Sequence, residues 1–344
     1  MKVMHFSNWA PHKSGLYECA KDQIKYERKL GLDSQMAIYE IENPPNDWED
    51  DGLKPVSWDW AKQADIFIIH RGLPEKVKQK FPNTKTIMVI HGTTEFLLLE
   101  EVFSKANKTP FNTHINLISS CDASVAVNEH DYNIYKIYDK DNKLSLIHDA
   151  VDVDKFTIDG YKHEYIRHPQ ILYADSLRVN KNPAHIIWAM PEIAKKIPSA
   201  RLSVLGLDLE SILTWRNILL RSPNRILKHY AENIQLEVTE VRPYMRGADI
   251  LYNGNMSGIS SRVEMEAMAS GCQIISYAGK FTKWHPEIYN IKDIANKVIN
   301  CWKYIQKDPL KARQEARQYA VENFSMEQKV RDEYVPLYNK ILGK

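Results

Sequence analysis

Two glutamates stand two residues apart in "SSRVEMEAMASGCQIIS" (260–276), at the head of a run of small apolar residues. Ser261 followed by Glu264 has the spacing of a capping box, in which both side chains satisfy N–H groups that a helix start leaves open. That gives Glu264 a structural job needing no further role. Glu266 lies roughly 200° further round a helix of 3.6 residues per turn and cannot share the task. Ala267, Met268, Ala269 and Gly271 beside it read as close packing. An ionised carboxylate in such a place needs a partner, because unpaired burial is costly. A ligand's pair of hydroxyls would serve, and so would a nearby arginine.

Two further stretches could meet a ligand. In "ADSLRVNKNP" (174–183), Arg178 and Lys181 sit in a loop just before a helix start at Asn182 and Pro183. Asn suits the N-cap and Pro the first turn. Two cations beside the positive end of a helix repel one another unless an anion such as a diphosphate neutralises them, or unless both are simply solvated. In "NWAPHKSGLYECAKDQIKYERKLG" (8–31), Gly15 falls between a strand and an amphipathic helix. Its backbone could approach a ligand closely, although a tight turn alone would also explain it. No Asp-x-Asp pair stands at a strand end to hold a metal; "DLE" (208–210) is the nearest substitute.

These positions need a scaffold, and the pattern supplies one. Nearly continuous apolar runs such as "DIFIIH" and "TIMVIH" are expected of strands covered on both faces. Strands are predicted at 2–6, 35–39, 65–70, 86–91, 123–127 and 144–147, with helical patterns between them. A polar stretch without periodicity, "DVDKFTIDGYKHEYIRHPQ", reads as a linker. The alternation then restarts with strands at 170–174, 200–206, 232–238, 248–253 and 272–278, and ends in helices only. Two α/β units with parallel sheets follow, with ligands expected at the carboxyl ends of their strands and in a cleft between the units. No solenoid repeat or low-complexity tract interrupts the pattern.

Bulk properties agree with a globular enzyme-sized chain. The 344 residues exceed one ordinary core, and 44% hydrophobic with 26% charged residues is neither disordered nor fibrous. Forty-six Lys and Arg against 44 Asp and Glu leave about +2, which argues against a dedicated nucleic-acid binder. No apolar run approaches the roughly 20 residues needed to cross a bilayer, and the first residues do not resemble a signal peptide. Cys19, Cys121, Cys272 and Cys301 lack paired metal spacing, as expected of buried thiols in a reducing cytoplasm. Lys21, Lys25, Arg28 and Lys29 after Gly15, and Lys76, Lys78 and Lys80, form basic faces that could meet anionic lipid, a phosphorylated glycan or DNA. Such faces are more often just solvated.

Taken together, the stretches resemble family 4 of the glycosyltransferases, retaining enzymes of the GT-B fold. "SLIHDAVDVDKF" is similar to the phrase closing that family's first domain. "ILYADSLRVNKNPAHIIWAMPEIAKKIPSARLSVLG" is similar to the opening of its second, and "GISSRVEMEAMASGCQIIS" to its Glu-x7-Glu signature. "PLKARQEARQYAVENFSMEQKVRDEYVPLYNKIL" is similar to its helical tail. The resemblance implies two Rossmann-like doubly wound domains facing a cleft, at 1–160 (acceptor side) and 161–325 (donor side). A helix at 326–344 would cross back to the first domain.

It also implies roles. Lys181 would hold the donor diphosphate, with Arg178 standing in for the family's arginine, whose position falls on Ser176. Ser260, Ser261, Arg262 and Val263 would offer helix-start amides to the diphosphate, and Glu266 would bind ribose hydroxyls. Ser14 and Gly15 would lie near the donor phosphates. His91 would touch the transferred sugar or remain a satisfied strand-end histidine. The signature's first glutamate falls on Gly258, which leaves donor choice open. The expected activity is hexosyl transfer from a nucleotide-diphosphate sugar, UDP-linked by family weighting, to a hydroxyl of a glycan, lipid or other biopolymer. No metal or further cofactor is expected, nucleic acid enters only as an acceptor, and the setting is cytoplasmic with peripheral contact at the inner membrane face. A catalytically silent relative that binds a nucleotide sugar or partner enzyme, or a sugar-nucleotide epimerase, is the alternative.

Overall fold

Strand residues of alternating parity bury into two different cores, so each sheet is covered on both faces. The computed structural model describes residues 1–7, 14–38, 49–70, 74–91, 115–116, 118–175, 181–206, 230–236, 238, 240–255, 261–278 and 282–344. Two compact units divide it: Met1–Val151 with Ser325–Lys344, and Asp152–Phe324. The division thus falls before the expected residue 160, at the start of the polar stretch read as a linker.

The first unit has β1 (Lys2–Ser7), β2 (Asp33–Ile38), β3 (Ile66–Ile69), β4 (Lys85–Ile90), β5 (Ala123–Ala126) and β6 (Leu144–Leu146). They form one parallel sheet in the order β2-β1-β3-β4-β5-β6. Its described helices are α1 (Gly15–Lys29), α2 (Trp58–Ala61), α3 (Pro74–Lys80) and α4 (Glu129–Lys136). Val3, Ile66, Ile68, Ile87, Val89 and Val125 face α1 residues Cys19 and Tyr26 and the C-terminal segment. Met4, Phe6, Phe67, Ile69, Met88 and Ile90 face the opposite way, onto Ala61, Val77 and Phe81. Where the chain re-enters this unit, Met326 N donates to Val151 O at 3.0 Å. It continues through α10 (Met326–Lys329), a π-helical turn (Val330–Tyr334) and α11 (Val335–Leu342).

The second unit holds β7 (Gln170–Tyr173), β8 (Arg201–Gly206), β9 (Ala231–Leu236), β10 (Ile250–Asn253) and β11 (Gln273–Ser276), parallel in the order β11-β10-β7-β8-β9. Its helices are α5 (Pro183–Lys196), α6 (Arg242–Gly247), α7 (Arg262–Ala269), α8 (Ile291–Lys307) and α9 (Pro309–Phe324). Ile186, Met190 and Ile193 of α5 and Ile294, Val298 and Cys301 of α8 cover the face formed by Ile171, Tyr173, Leu202, Ile250, Tyr252 and Ile275. Strand order reverses between β7 and β10, because β8 and β9 extend one way from β7 and β10 and β11 the other. This reversal opens a crevice at the carboxyl ends of the two strands.

The basic face expected along α1 is largely spent inside the first unit. Lys21 is buried and pairs with Asp50 at 2.7 Å and Asp51 at 3.1 Å, while Lys29 pairs with Glu327 at 2.9 Å. Arg28 donates to Ser34 O at 2.8 Å and Gln35 Oε1 at 2.6 Å. Lys78 pairs with Asp122 at 3.3 Å. Among the described residues no helix is long and apolar enough to cross a membrane.

Candidate active site

At the β7–β10 reversal, two strand ends and two helix starts converge. Asp175 follows β7, and Lys181 and Asn182 lead into α5. Lys181 Nζ meets Asp175 Oδ2 at 3.0 Å, the side chains being only 20% and 16% exposed. Asn182 takes the cap position of α5, but in the left-handed region at φ 44°, ψ 53°, and its side chain makes no capping bond. Instead Asn182 Nδ2 donates to Gly254 O at 3.0 Å, which ties the helix start to the end of β10. The approach there is so close that a Cβ on Gly254 would stand 2.6 Å from Lys181 O and 2.9 Å from Asn182 O. Only glycine fits.

The first turn of α7 completes the crevice. Ser261 N donates to Glu264 Oε2 at 3.0 Å, the reciprocal bond of a capping box. Asn253 Nδ2 donates to Ser261 Oγ, fastening this helix start to β10. Glu264 is fully buried. Burial dominates and pushes its carboxyl up to about 7, against the opposing pull of Ser276, the Ser261 amide and Lys181. Near neutral pH about half of it is therefore protonated, which lessens its repulsion of an anion. Glu266 finds a partner on its own helix: Arg262 Nε meets its Oε1 at 3.2 Å, one turn away. Of the two partners open to Glu266 in sequence, the arginine is present.

The first unit gathers a different set. Ser14 caps α1 without a side-chain cap bond, and a Cβ built on Gly15 meets nothing within 4 Å. His91 closes a buried chain of side chains. Glu27 Oε2 lies 2.9 Å from His5 Nε2, His5 Nδ1 lies 3.0 Å from His70 Nε2, and His70 Nδ1 lies 2.9 Å from His91 Nε2. Glu27 Oε1 accepts from Tyr338 Oη at 2.6 Å and Gln23 Nε2 at 3.1 Å. Burial opposes ionisation of Glu27, yet the neighbouring His5, with the hydroxyls of Ser34 and Tyr338, holds its carboxyl below the usual range. Burial, together with His91 and His5, drives His70 well below the usual imidazole value. Cys19, His70 and His91 also bring three metal-ligating atoms within 4.8 Å of one another, the one such group among the described residues. Both nitrogens of His70 are engaged by His5 and His91, and the group reads as a hydrogen-bonded chain.

No protein-family model and no curated protein matches the sequence. The structure does have solved counterparts. A glycosyltransferase from Rickettsia africae superposes with a TM-score of 0.69 at 16% identity, over 99% of this chain and 98% of that one. Sucrose-phosphate synthase from Thermosynechococcus elongatus gives 0.72 at 14%, over 100% and 99%. The pneumococcal O-GlcNAc transferase GtfA, solved with UDP and GlcNAc, gives 0.69 at 10%, over 100% and 99%. The fold is GT-B. At these identities the likeness is one of fold.

Within this GT-B chain, Lys181 beside Asn182 and Ser261 at the head of α7 are both tied to the end of β10, and Arg262, the half-buried Val263 and Glu266 follow Ser261 on α7 of the same unit. Ser14, Gly15 and His91 belong to the first. Arg178, Ser260, Gly258 and the "DLE" stretch lie outside the described residues. Sequence reasoning missed Asp175, Asn253 and Gly254, which shape the second unit's crevice, and His5, His70 and Glu27 behind His91. For the histidines a signal existed: strands β1, β3 and β4 each carry or are followed by a histidine of the same parity as the apolar residues facing α1.

Proposed function

We propose that the chain is a retaining glycosyltransferase that moves a sugar from a nucleotide-diphosphate sugar, UDP-linked, to a hydroxyl of a glycan or lipid-linked acceptor. The observation that carries this reading is the cation-and-helix-start crevice at the strand reversal of the second unit, within a chain whose whole length matches GT-B enzymes. Breaking the anomeric C–O bond builds negative charge on the leaving diphosphate, and donors already aimed at it lower the barrier without reorganising. Lys181 supplies a charge that exchanges Asp175 for the diphosphate, Arg178 a second, and the amides around Ser260, Ser261, Arg262 and Val263 the remaining donors. Glu266 turns from Arg262 to the ribose hydroxyls. Ser14 and Gly15 serve the donor phosphates, and His91 the transferred sugar or the acceptor. This arrangement asks for no metal.

The test is calorimetric titration with UDP of wild type and Glu266→Ala. A carboxylate hydrogen-bonded to two hydroxyls contributes about 1.5–3 kcal/mol, so affinity should fall about 10- to 100-fold with an unchanged Tm. Equal affinities would remove the ribose role. Two features favour a second reading, a silent nucleotide-sugar binder: Lys181 and Glu266 are already paired internally, and Gly258 stands where the signature's first glutamate would be. Slow release of free sugar from a panel of nucleotide sugars supports the transferase. Binding without turnover supports the silent relative.

A further inference from the structure

Three elements of the first unit each bring a ligating atom to one place. Cys19 sits on α1, His70 directly follows β3 and His91 directly follows β4. The two strands are neighbours in register, with Ile69 beside Met88, so both histidines leave adjacent strand ends. They share the parity of Ile66, Ile68, Ile87 and Val89, which pack with Cys19, and side chains of equal parity share one face of a sheet. One sulfur and two imidazole nitrogens thus lie within 4.8 Å of one another. Cys19 and His70 are buried, whereas His91 is partly exposed and gives an ion a way in from solvent.

A thiolate with two imidazoles suits borderline-soft divalent ions, zinc above all, and suits magnesium or calcium poorly, because those take oxygen ligands. The spacing needs little adjustment. Ring nitrogens of His70 and His91 approach to 2.9 Å, and two nitrogens on one tetrahedral zinc stand about 3.3 Å apart. The rings part by a few tenths of an ångström, and the ion takes the place of the proton that joins them in the hydrogen-bonded row. Behind the ligands lies the support such a site needs. A ligating imidazole almost always gives its second N–H to a fixed acceptor, which sets its tautomer and raises its basicity. His70 Nε2 lies 3.0 Å from His5 Nδ1, and His5 Nε2 lies 2.9 Å from Glu27 Oε2. A carboxylate only accepts, so His5 donates to Glu27, His70 donates to His5, and His70 Nδ1 keeps its lone pair. Asp149 Oδ1 lies 3.6 Å from Cys19 Sγ. With Glu27 it supplies negative charge to balance a dication that holds one thiolate.

We propose that Cys19, His70 and His91 form a three-ligand site for zinc or a chemically similar divalent ion, with the fourth position left to water. On binding, the thiol proton of Cys19 goes to solvent. The sulfur and one nitrogen of each ring give an electron pair to the ion, each ring keeps its proton on its other nitrogen, and no oxidation state changes. Glu27 and His5 are positioning residues that orient His70. The site uses first-unit residues alone and does not depend on the transferase reading. Cysteine spacing gave no sign of it, because strand order, and not sequence proximity, brings both histidines to Cys19.

Cobalt titration of the full chain, stripped with a chelator and kept reduced, reads the ligands directly. One equivalent of Co2+ should give a thiolate-to-cobalt charge-transfer band with visible bands of four-coordinate strength, and Zn2+ should bleach both. Calorimetry with zinc chloride should show one site with a Kd of about 1 μM or tighter, with no competition from Mg2+. Glu27→Gln should keep the cobalt band and weaken zinc roughly 10- to 100-fold, as loss of an outer partner does. Cys19→Ser should abolish the band and weaken zinc by more than that. If Glu27→Gln does not fold, the wild-type spectrum and the near-isosteric Cys19→Ser still decide. Absence of a thiolate band, a band that survives Cys19→Ser, or equal zinc affinity in that variant would overturn the site and mark any uptake as adventitious.

Discussion

Glu264 and Glu266 are two residues apart and meet opposite physics. Glu264 is sealed in with one backbone donor, and its carboxyl rises from 4.5 to about 7. The unfolded chain ionises it above 4.5 while the folded chain keeps the proton, so its contribution is complete below 4.5 and lost as pH rises toward about 7. Glu264→Gln should therefore flatten that loss, gaining up to about 3 kcal/mol at pH 8; urea titrations at pH 4 and 8 measure it. A variant with an unchanged pH slope would place the titration elsewhere. At Lys181 the competing pair is the lever. If Asp175 competes with a diphosphate for this cation, Asp175→Asn should tighten UDP binding roughly two- to fivefold, read by calorimetry, and weaker binding would mean that Asp175 helps to hold the ligand. Lys181 was legible because a cation before a helix start is a sequence pattern. Asp175 was not, because which carboxylate reaches that cation depends on how the intervening loop folds. His91 was likewise legible by position, whereas His5 and His70 needed the strand order, since β1 touches β3 and not its sequence neighbour alone.

Elements were the most readable level, for a physical reason. A strand covered on both faces must be apolar at every position, and runs such as "IFII" and "KTIMVI" leave little else to choose. The close of α7 was also written locally. Gly271 adopts φ +92° after the helix, and Cys272 N donates to Ala267 O at 2.9 Å, a left-handed stop that favours glycine. Two departures have identifiable causes. Asn182 sits at the head of α5 as expected, but the pull of Gly254 O draws its side chain off the helix and into the left-handed region. The final helix, expected over 326–344, widens at Val330–Tyr334, just before Pro336, which has no N–H for the preceding turn. The contact between β10 and α5 yields a prediction at this scale. Gly254→Ala forces backbone apart at 2.6 Å, so Tm should drop by several degrees and UDP affinity with it. Gly15→Ala, with open space around its Cβ, should keep Tm and lose affinity only if a ligand approaches that backbone. Equal stability losses in the two variants would contradict this division.

At the scale of the molecule, the chain leaves its first unit at Val151 and returns to it at Ser325. The returning segment is part of that unit's core: Met326, Val330, Tyr334, Leu337 and Tyr338 are buried against Val3, Ile66, Ile68 and Tyr26. At roughly 1.5–3 kcal/mol for each fully buried side chain, their burial rivals the net stability of a typical domain, about 5–15 kcal/mol. Tyr338 also supplies one of the donors that keep Glu27 ionised, so the fold of the last residues and the histidine row stand together. Ending the chain at Phe324 should accordingly cost the first unit its stability and spare the second. Hydrogen exchange would show the amides of β1 to β6 losing protection while those of β7 to β11 keep theirs, and the truncated chain should still bind UDP with at least part of its affinity. Protection retained across β1 to β6 would mean that the segment only decorates a core already complete without it.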